Sequence, residues 1–190
     1  MLVTERLLMR PFTEGDLDKI FQLVYEDVEV RNSWSSFIGS CEEFRGRFHM
    51  GKNWRIDGGF GYWALVRKQD DELLGLMGFR NHADENMDWL LMPDGSRNVG
   101  HMPDVLDAEL TYALGQRYWQ RGYATEAGRV LLDYGFQEIG IDRVINAISP
   151  TNLRSRNLMA RLGFTFLNNG NPEDVIGLMV NPIRSLAFPY

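Results

Sequence analysis

The sequence predicts an α/β fold (α+β in schemes that separate mixed sheets), and three observations carry that expectation. The stretch from Ala108 to Phe164 reads strand, small-residue turn, helix, strand, turn, helix. Upstream, Phe60 to Arg67 and Glu72 to Arg80 read as a hairpin joined through Lys68-Gln-Asp-Asp71. A length of 190 residues suits a single domain, 1–190, because a chain of that size buries roughly 70% of its unfolded surface.

Taken in order, Arg6 to Pro11 reads as the first strand. Thr13-x-x-Asp16 resembles a capping box, after which Leu17, Ile20, Phe21 and Val24 mark one face of a helix. A second helix is expected from Ser40, with Glu43 three residues on and Phe44 and Phe48 stacked at i, i+4; Gly46 and Gly51 limit its length. After the hairpin, residues 81–107 break the pattern, with Asp, Asn, Gly and Pro clusters around one apolar island, Trp89 to Met92. A connection that long in a compact domain reads as a functional insertion, a lid or a contact with a second subunit. The strand Ala108 to Leu114 follows, then a link carrying Gly115, Arg117, Arg121 and Gly122. A helix opens near Tyr123–Thr125 and runs to about Ile139, with Ala127, Val130, Leu131 and Tyr134 on one face. Arg143 to Ile148 is a strand, and Ser149-Pro150-Thr151-Asn152 turns into a helix ending in Arg161-Leu-Gly-Phe164. Short strands near Phe166 and from Val175 to Val180 complete the sheet.

Composition narrows the class. A 44% hydrophobic and 24% charged content is that of a soluble globular protein. The single cysteine, Cys41, rules out an internal disulfide and fits a reducing compartment. No apolar run reaches membrane-span length and no signal-type core opens the chain, so a cytoplasmic protein without membrane contact is expected. The net charge of −6 argues against nucleic-acid binding. Its distribution is uneven: Asn81 to Glu109 holds seven acidic residues and one basic, Arg97, whereas Arg117 to Arg161 holds seven arginines and four acids. That asymmetry suits a phosphorylated ligand on one side and a cationic amine on the other, although solvated surface charge explains most such side chains.

The turn Tyr118 to Ala127, YWQRGYATEA, is the first candidate site. A strand running through small residues into a helix presents unpaired backbone N–H groups to an anion, and the helix dipole adds roughly half a positive charge. Gly122 lacks a Cβ and Ala124 has only a methyl group, so a phosphate can approach the backbone. Ordinary packing of small residues remains the alternative. Cys41 has no histidine at a recognisable spacing, His49, His82 and His101 show no metal-ligand pattern, and no Walker-type or G-x-G-x-x-G signature occurs. No metal is expected.

Trp119 to Ala127, then Asn152, Ser155 and Leu162-Gly163-Phe164, with the opening Thr4-Glu-Arg-Leu-Leu-Met-Arg-Pro11, resemble the GNAT superfamily of acetyl-CoA-dependent N-acyltransferases. The likeness is to the branch that acetylates the N-terminal amine of ribosomal proteins. It implies a mixed, mostly antiparallel twisted sheet of about seven strands flanked by about four helices. It implies acetyl-CoA as cofactor, transfer to a primary amine without an acyl-enzyme, and a monomer or homodimer. A protein N-terminus is the leading acceptor, with a polyamine, amino acid or aminoglycoside as alternatives. The amides of Gln120, Arg121, Gly122, Tyr123, Ala124 and Thr125, with Trp119 beside them, would receive the pyrophosphate. Ala113 or Leu114 would offer an N–H to the thioester carbonyl. Asn152 and Ser155 match positions that bond the cofactor arm, or serve simply as N-cap and first-turn polar residue. The helical pair near the N-terminus would cover the acceptor site, where Trp34, Phe37 and Trp54 line it or pack as core.

Glu109 matches the carboxylate ahead of the fourth-strand aromatic and is the candidate base; Asp107, two residues away on the same strand face, is the substitute. An ordinary glutamate near about 4.3 is a weak base for an amine near about 10, so burial would help. Many members carry a tyrosine as general acid three residues before the leucine of LGF. Here Met159 stands there, leaving Tyr112 or Tyr123 as candidates, or departure of the thiolate unassisted. That gap supports a second reading, a catalytically weak acyl-CoA-binding module; a nucleotide-binding α/β domain of another family is a third.

Overall fold

In the computed structural model, residues 1–34, 39–81, 90–91, 97–98, 105–167 and 175–183 are described. Eight strands form one mixed sheet: β1 (Leu2–Val3), β2 (Leu7–Pro11), β3 (Gly61–Arg67), β4 (Glu72–Asn81), β7 (Asp107–Leu114), β8 (Arg143–Ile148), β9 (Thr165–Leu167) and β10 (Val175–Val180). Their hydrogen-bonded order is β1-β2-β3-β4-β7-β8-β10-β9. The β7–β8 pair is parallel, with Asp107, Ala108 and Glu109 opposite Arg143, Val144 and Ile145. The eighth strand is the two-residue β1, too short for sequence periodicity to signal. Within the 81–107 segment, β5 (Leu90–Leu91) pairs antiparallel with β6 (Arg97–Asn98); most of that expected insertion, the side chain of Trp34, and Phe37 lie outside the described residues.

Five α-helices among the described residues accompany the strands: α1 (Leu17–Phe21), α2 (Val28–Trp34), α3 (Cys41–Met50), α4 (Tyr123–Tyr134) and α5 (Leu153–Leu162). The helix expected after Thr13 is built from three pieces, a 3₁₀ turn Glu14–Asp16, α1, and a π turn Gln22–Glu26. Both capping boxes form, Thr13 with Asp16 and Ser40 with Glu43. The sequence pattern held no sign of α2; Asp27 starts it by accepting the N–H groups of Glu29 and Val30.

The chain divides into two compact units. The first comprises Met1–Phe79 and Thr111–Leu131. Its core holds Leu7, Met9, Leu17, Ile20 and Leu65, with an aromatic group in which Trp54 meets Phe12, Phe44 and Tyr62 edge-on at 5.1–5.3 Å between ring centroids. Trp54 is therefore packed in the core, 8% exposed. Gly75 lets β4 and β7 meet closely, since a Cβ there would stand 2.1 Å from the Ala113 carbonyl oxygen.

The second unit comprises Arg80–Leu110 and Leu132–Tyr190. Ile145, Ile176 and Leu178 form an apolar cluster there, against which Leu167 packs. The buried Asn181 amide donates to the carbonyls of Phe136 and Ile141, tying the end of the α4 extension to the close of β10. Helix α5 ends in a Schellman motif: Gly163 at φ +96°, its N–H on the Ala160 carbonyl, and the Phe164 N–H on the Met159 carbonyl. The LGF signature is thus a helix stop with Phe164 folded back onto the core.

Candidate active site

Backbone alternation along β7 decides which groups face which way. The Leu106 carbonyl accepts from Asp142 and Arg143, and the Leu110 carbonyl accepts from the Asn146 amide at 2.5 Å. The even-numbered residues Leu106 and Leu110 therefore carry their C=O toward β8. Odd-numbered ones face β4: Gly115 donates to the Leu74 carbonyl at 3.0 Å, and Ala113 turns its carbonyl toward Gly75. Of the two residues expected to offer an N–H to the thioester, Ala113 has its carbonyl against Gly75 of β4. The Leu114 carbonyl is held by the Trp119 indole N–H at 2.7 Å, so Trp119 clips the strand end to the turn that follows.

Side chains alternate along a strand, and over the first half of β7 burial alternates with them, intermediate at Asp107 and Glu109 and buried at Ala108 and Leu110. Asp107, Glu109 and Thr111 share a face. Both Asp107 oxygens are taken by Arg143, at 2.7 Å from Nε and 2.5 Å from Nη2, and the Arg143 side chain is 4% exposed. Among the described residues Glu109 has a single ion-pair contact, 3.1 Å to Arg80 Nη1, with 21% of its side chain exposed. Burial pushes the Glu109 carboxyl above the usual carboxylate range, and the Arg80 charge opposes this only in part. Thr111 Oγ1 is buried with no hydrogen-bond partner among the described residues, a spare polar group on the Glu109 face.

Beyond β7, the chain enters a turn of unusual backbone. Gln120 has φ +57° and Gly122 φ +81°, on either side of Arg121. For Gln120 that conformation costs about 1–2 kcal/mol, a strain the surroundings must hold in place. Residues of positive φ interleaved in a turn form a concave row of N–H groups that suits an anion. The first intrahelical bond of α4 runs from Glu126 N–H to Gly122 C=O, so Tyr123, Ala124 and Thr125 stand at the positive end of the helix dipole. A Cβ added at Gly122 would meet, among the described residues, only Arg6 Nη2, at 3.3 Å. Arg121 and Gly122 are exposed, and Tyr123 is buried.

Of the two arginines in the link before this turn, Arg117 is engaged with Glu72 at 3.1 Å and covers the Tyr118 ring at 4.9 Å. A different arginine reaches the turn. Arg6 donates Nε to Glu126 Oε2 at 2.6 Å and Nη1 to the Arg121 carbonyl at 3.1 Å, and its guanidinium lies 4.5 Å from the Tyr123 ring centre. The sequence pattern marks Thr4 and Arg6 only as part of a first strand; nothing local in either segment signals that residues 120 positions apart touch. In the second unit, Asn152 accepts the Ser155 N–H at 3.1 Å, so the capping role expected of that pair is filled. Met159 is fully buried and offers no acid at its position.

The mixed eight-stranded sheet with its five helices is the GNAT N-acetyltransferase fold. Residues 6–165 match the family described as Acetyltransferase (GNAT) domain, and the chain belongs to that family. It is 34% identical to the uncharacterized N-acetyltransferase YnaD of Bacillus subtilis over 165 residues, 85% of this chain and 81% of the relative. Among solved structures it is similar to RimL, a ribosomal L7/L12 α-N-protein acetyltransferase in complex with coenzyme A (TM-score 0.69, 17% identity, 94% of this chain and 96% of that one). It is likewise similar to a point mutant of the spermidine N-acetyltransferase SpeG from Vibrio cholerae (TM-score 0.64, 18% identity, 93% of this chain and 94% of that one). The protein is an acetyl-CoA-dependent N-acetyltransferase. No helix among the described residues is long and apolar enough to cross a membrane.

Proposed function

We propose that this protein acetylates the N-terminal amine of a protein or peptide, with the diphosphate of acetyl-CoA held by the turn Gln120–Thr125. The observation that carries the reading is the pair of positive-φ residues at the entrance of α4, where only the Arg6 guanidinium, among the described residues, stands over Gly122. When bound, acetyl-CoA supplies an activated acetyl thioester. The Leu114 N–H would donate a hydrogen bond to an acyl oxygen of the bound thioester. Glu109, desolvated and held by an ion pair to Arg80, takes a proton from the incoming ammonium and leaves a neutral amine able to attack. With Met159 buried, no described residue is assigned as general acid, and the thiol of the cofactor would depart without a proton donor from the protein.

RimL, described as a protein α-N-acetyltransferase, supports the protein acceptor, and the motif resemblance points the same way; SpeG makes a polyamine the competing substrate. The test is release of free thiol from acetyl-CoA across a panel of peptides with free N-termini, polyamines, amino acids and aminoglycosides. Turnover fastest with peptides, and lost on blocking their α-amine, supports the proposal. Turnover confined to spermidine-like amines replaces the acceptor. Coenzyme A binding with no turnover on any amine favours the weak acyl-CoA-binding module.

A further inference from the structure

Residues at the start of the chain grip the turn that this reading assigns to the diphosphate, and the grip is unusually complete. The Glu126 carboxylate, in the first turn of α4, accepts three bonds: Oε1 from Thr4 Oγ1 at 2.5 Å and from the Arg6 backbone N–H at 2.7 Å, and Oε2 from Arg6 Nε at 2.6 Å. These bonds outweigh the effect of burial and hold the carboxyl below its usual range, so Glu126 is an anion at neutral pH. The rest of the Arg6 guanidinium contacts two residues of the turn, the Arg121 carbonyl and the Tyr123 ring, with Nη2 3.3 Å from where a Cβ on Gly122 would stand. In a trans peptide the C=O of one residue and the N–H of the next point in opposite directions. Pinning the Arg121 carbonyl against Arg6 therefore turns the Gly122 N–H away from Arg6.

We infer that Arg6 is a positioning residue for the cofactor: anchored by Glu126, it fixes the peptide between Arg121 and Gly122 so that the Gly122 amide is aimed at the diphosphate before the ligand arrives. The inference rests on the diphosphate reading of the turn. Its role differs from that of a phosphate-binding arginine, because the fork of Nε and Nη1 is spent on protein oxygens. A lysine keeps the charge but lacks that planar fork, and so cannot make both bonds in one geometry.

The test compares wild type with Arg6→Met and Arg6→Lys, using coenzyme A binding, kinetics with acetyl-CoA and with acetyl-pantetheine (which lacks the diphosphate), and amide hydrogen exchange of the unliganded proteins. Both variants are expected to lose coenzyme A affinity by roughly tenfold, the loss that one misaligned charge-assisted contact produces. Catalytic efficiency with acetyl-pantetheine should stay at the wild-type level, and amides from Gln120 to Ala124 should exchange faster. Full affinity in Arg6→Lys would overturn the proposal, since charge alone would then suffice. An equal loss with both donors, or unaltered exchange in the turn, would reduce Arg6 to general support. A wild-type protein that does not bind coenzyme A would instead remove the diphosphate reading itself, while the exchange data still report whether Arg6 orders the turn.

Discussion

Asp107 and Glu109 are two carboxylates on one face of one strand, and the fold treats them in opposite ways. Asp107 meets the buried Arg143 with both oxygens, so its hydrogen-bonding capacity and its charge are both consumed by the fold. Glu109 is desolvated with a cation at 3.1 Å, which leaves its carboxyl raised and, among the described residues, a single ion-pair contact. A carboxylate closed by a fork of guanidinium bonds stabilises structure. One that is dried but only partly neutralised is poised to exchange protons. The difference lies in their partners, since the strand gives both the same direction.

The strongest way to break this comparison is Glu109→Gln. Removal of a general base costs roughly 10²–10⁴ in kcat, and the acetyl-CoA KM should hardly move because the turn at Gln120–Thr125 is untouched. The acid limb of the wild-type rate should lie above the range of an ordinary carboxylate, since burial raises the group, and should disappear in the variant. The sign for stability is the reverse of the usual one. With the folded value above the unfolded one, ionising Glu109 costs folding free energy as pH rises between them, so the variant should melt no lower than wild type at neutral pH. Unchanged kcat across the pH range would remove Glu109 from the reaction.

Asp107→Ala should produce the complementary result. It leaves Arg143, its side chain 4% exposed, without this partner. Breaking a fully buried pair costs about 3–5 kcal/mol, and the partial exposure of Asp107 brings the expectation to about 3 kcal/mol. Denaturant unfolding reads that loss directly, while kcat per folded molecule should hold. Loss of turnover in a folded Asp107 variant would make the two carboxylates a catalytic pair and end the distinction. A smaller effect is expected from Arg80→Met, which removes the charge that lowers the Glu109 carboxyl. The acid limb should then move to higher pH, with a modest loss of rate at neutral pH and none in alkaline solution.

The strand itself was legible in the sequence: Ala108 to Leu114 has β-branched, aromatic and aliphatic residues in alternation, and the observed β7 begins one residue earlier. Alternation also placed Asp107 and Glu109 on one face. It could not choose between them, because Arg143 follows Asp107 by 36 residues and no local pattern encodes which of several arginines will arrive. The same limit hid from the sequence that Arg6 reaches the turn while Arg117 pairs with Glu72. Ser40 with Glu43 and Asn152 with Ser155 were readable because caps act within three residues. Local chemistry was visible, and long-range pairing was not.

Asn152 carries the comparison to its smallest expected effect. Its side-chain oxygen is occupied by the Ser155 N–H at 3.1 Å, which by the Asp107 criterion makes it a fold residue. Asn152→Ala should then cost about 1 kcal/mol, a fall of roughly 2–4 °C in melting temperature for a chain of this size, and leave coenzyme A affinity intact. Asn152→Ser keeps a capping oxygen and should recover most of that loss. The amide nitrogen is the part the cap does not use, and the serine variant lacks it. If Asn152→Ser restores the melting temperature yet binds coenzyme A more weakly, the side chain serves fold and ligand with different atoms. Occupancy by the fold would then have to be judged atom by atom, with Glu109 and Asn152 differing only in how much of each group is left over.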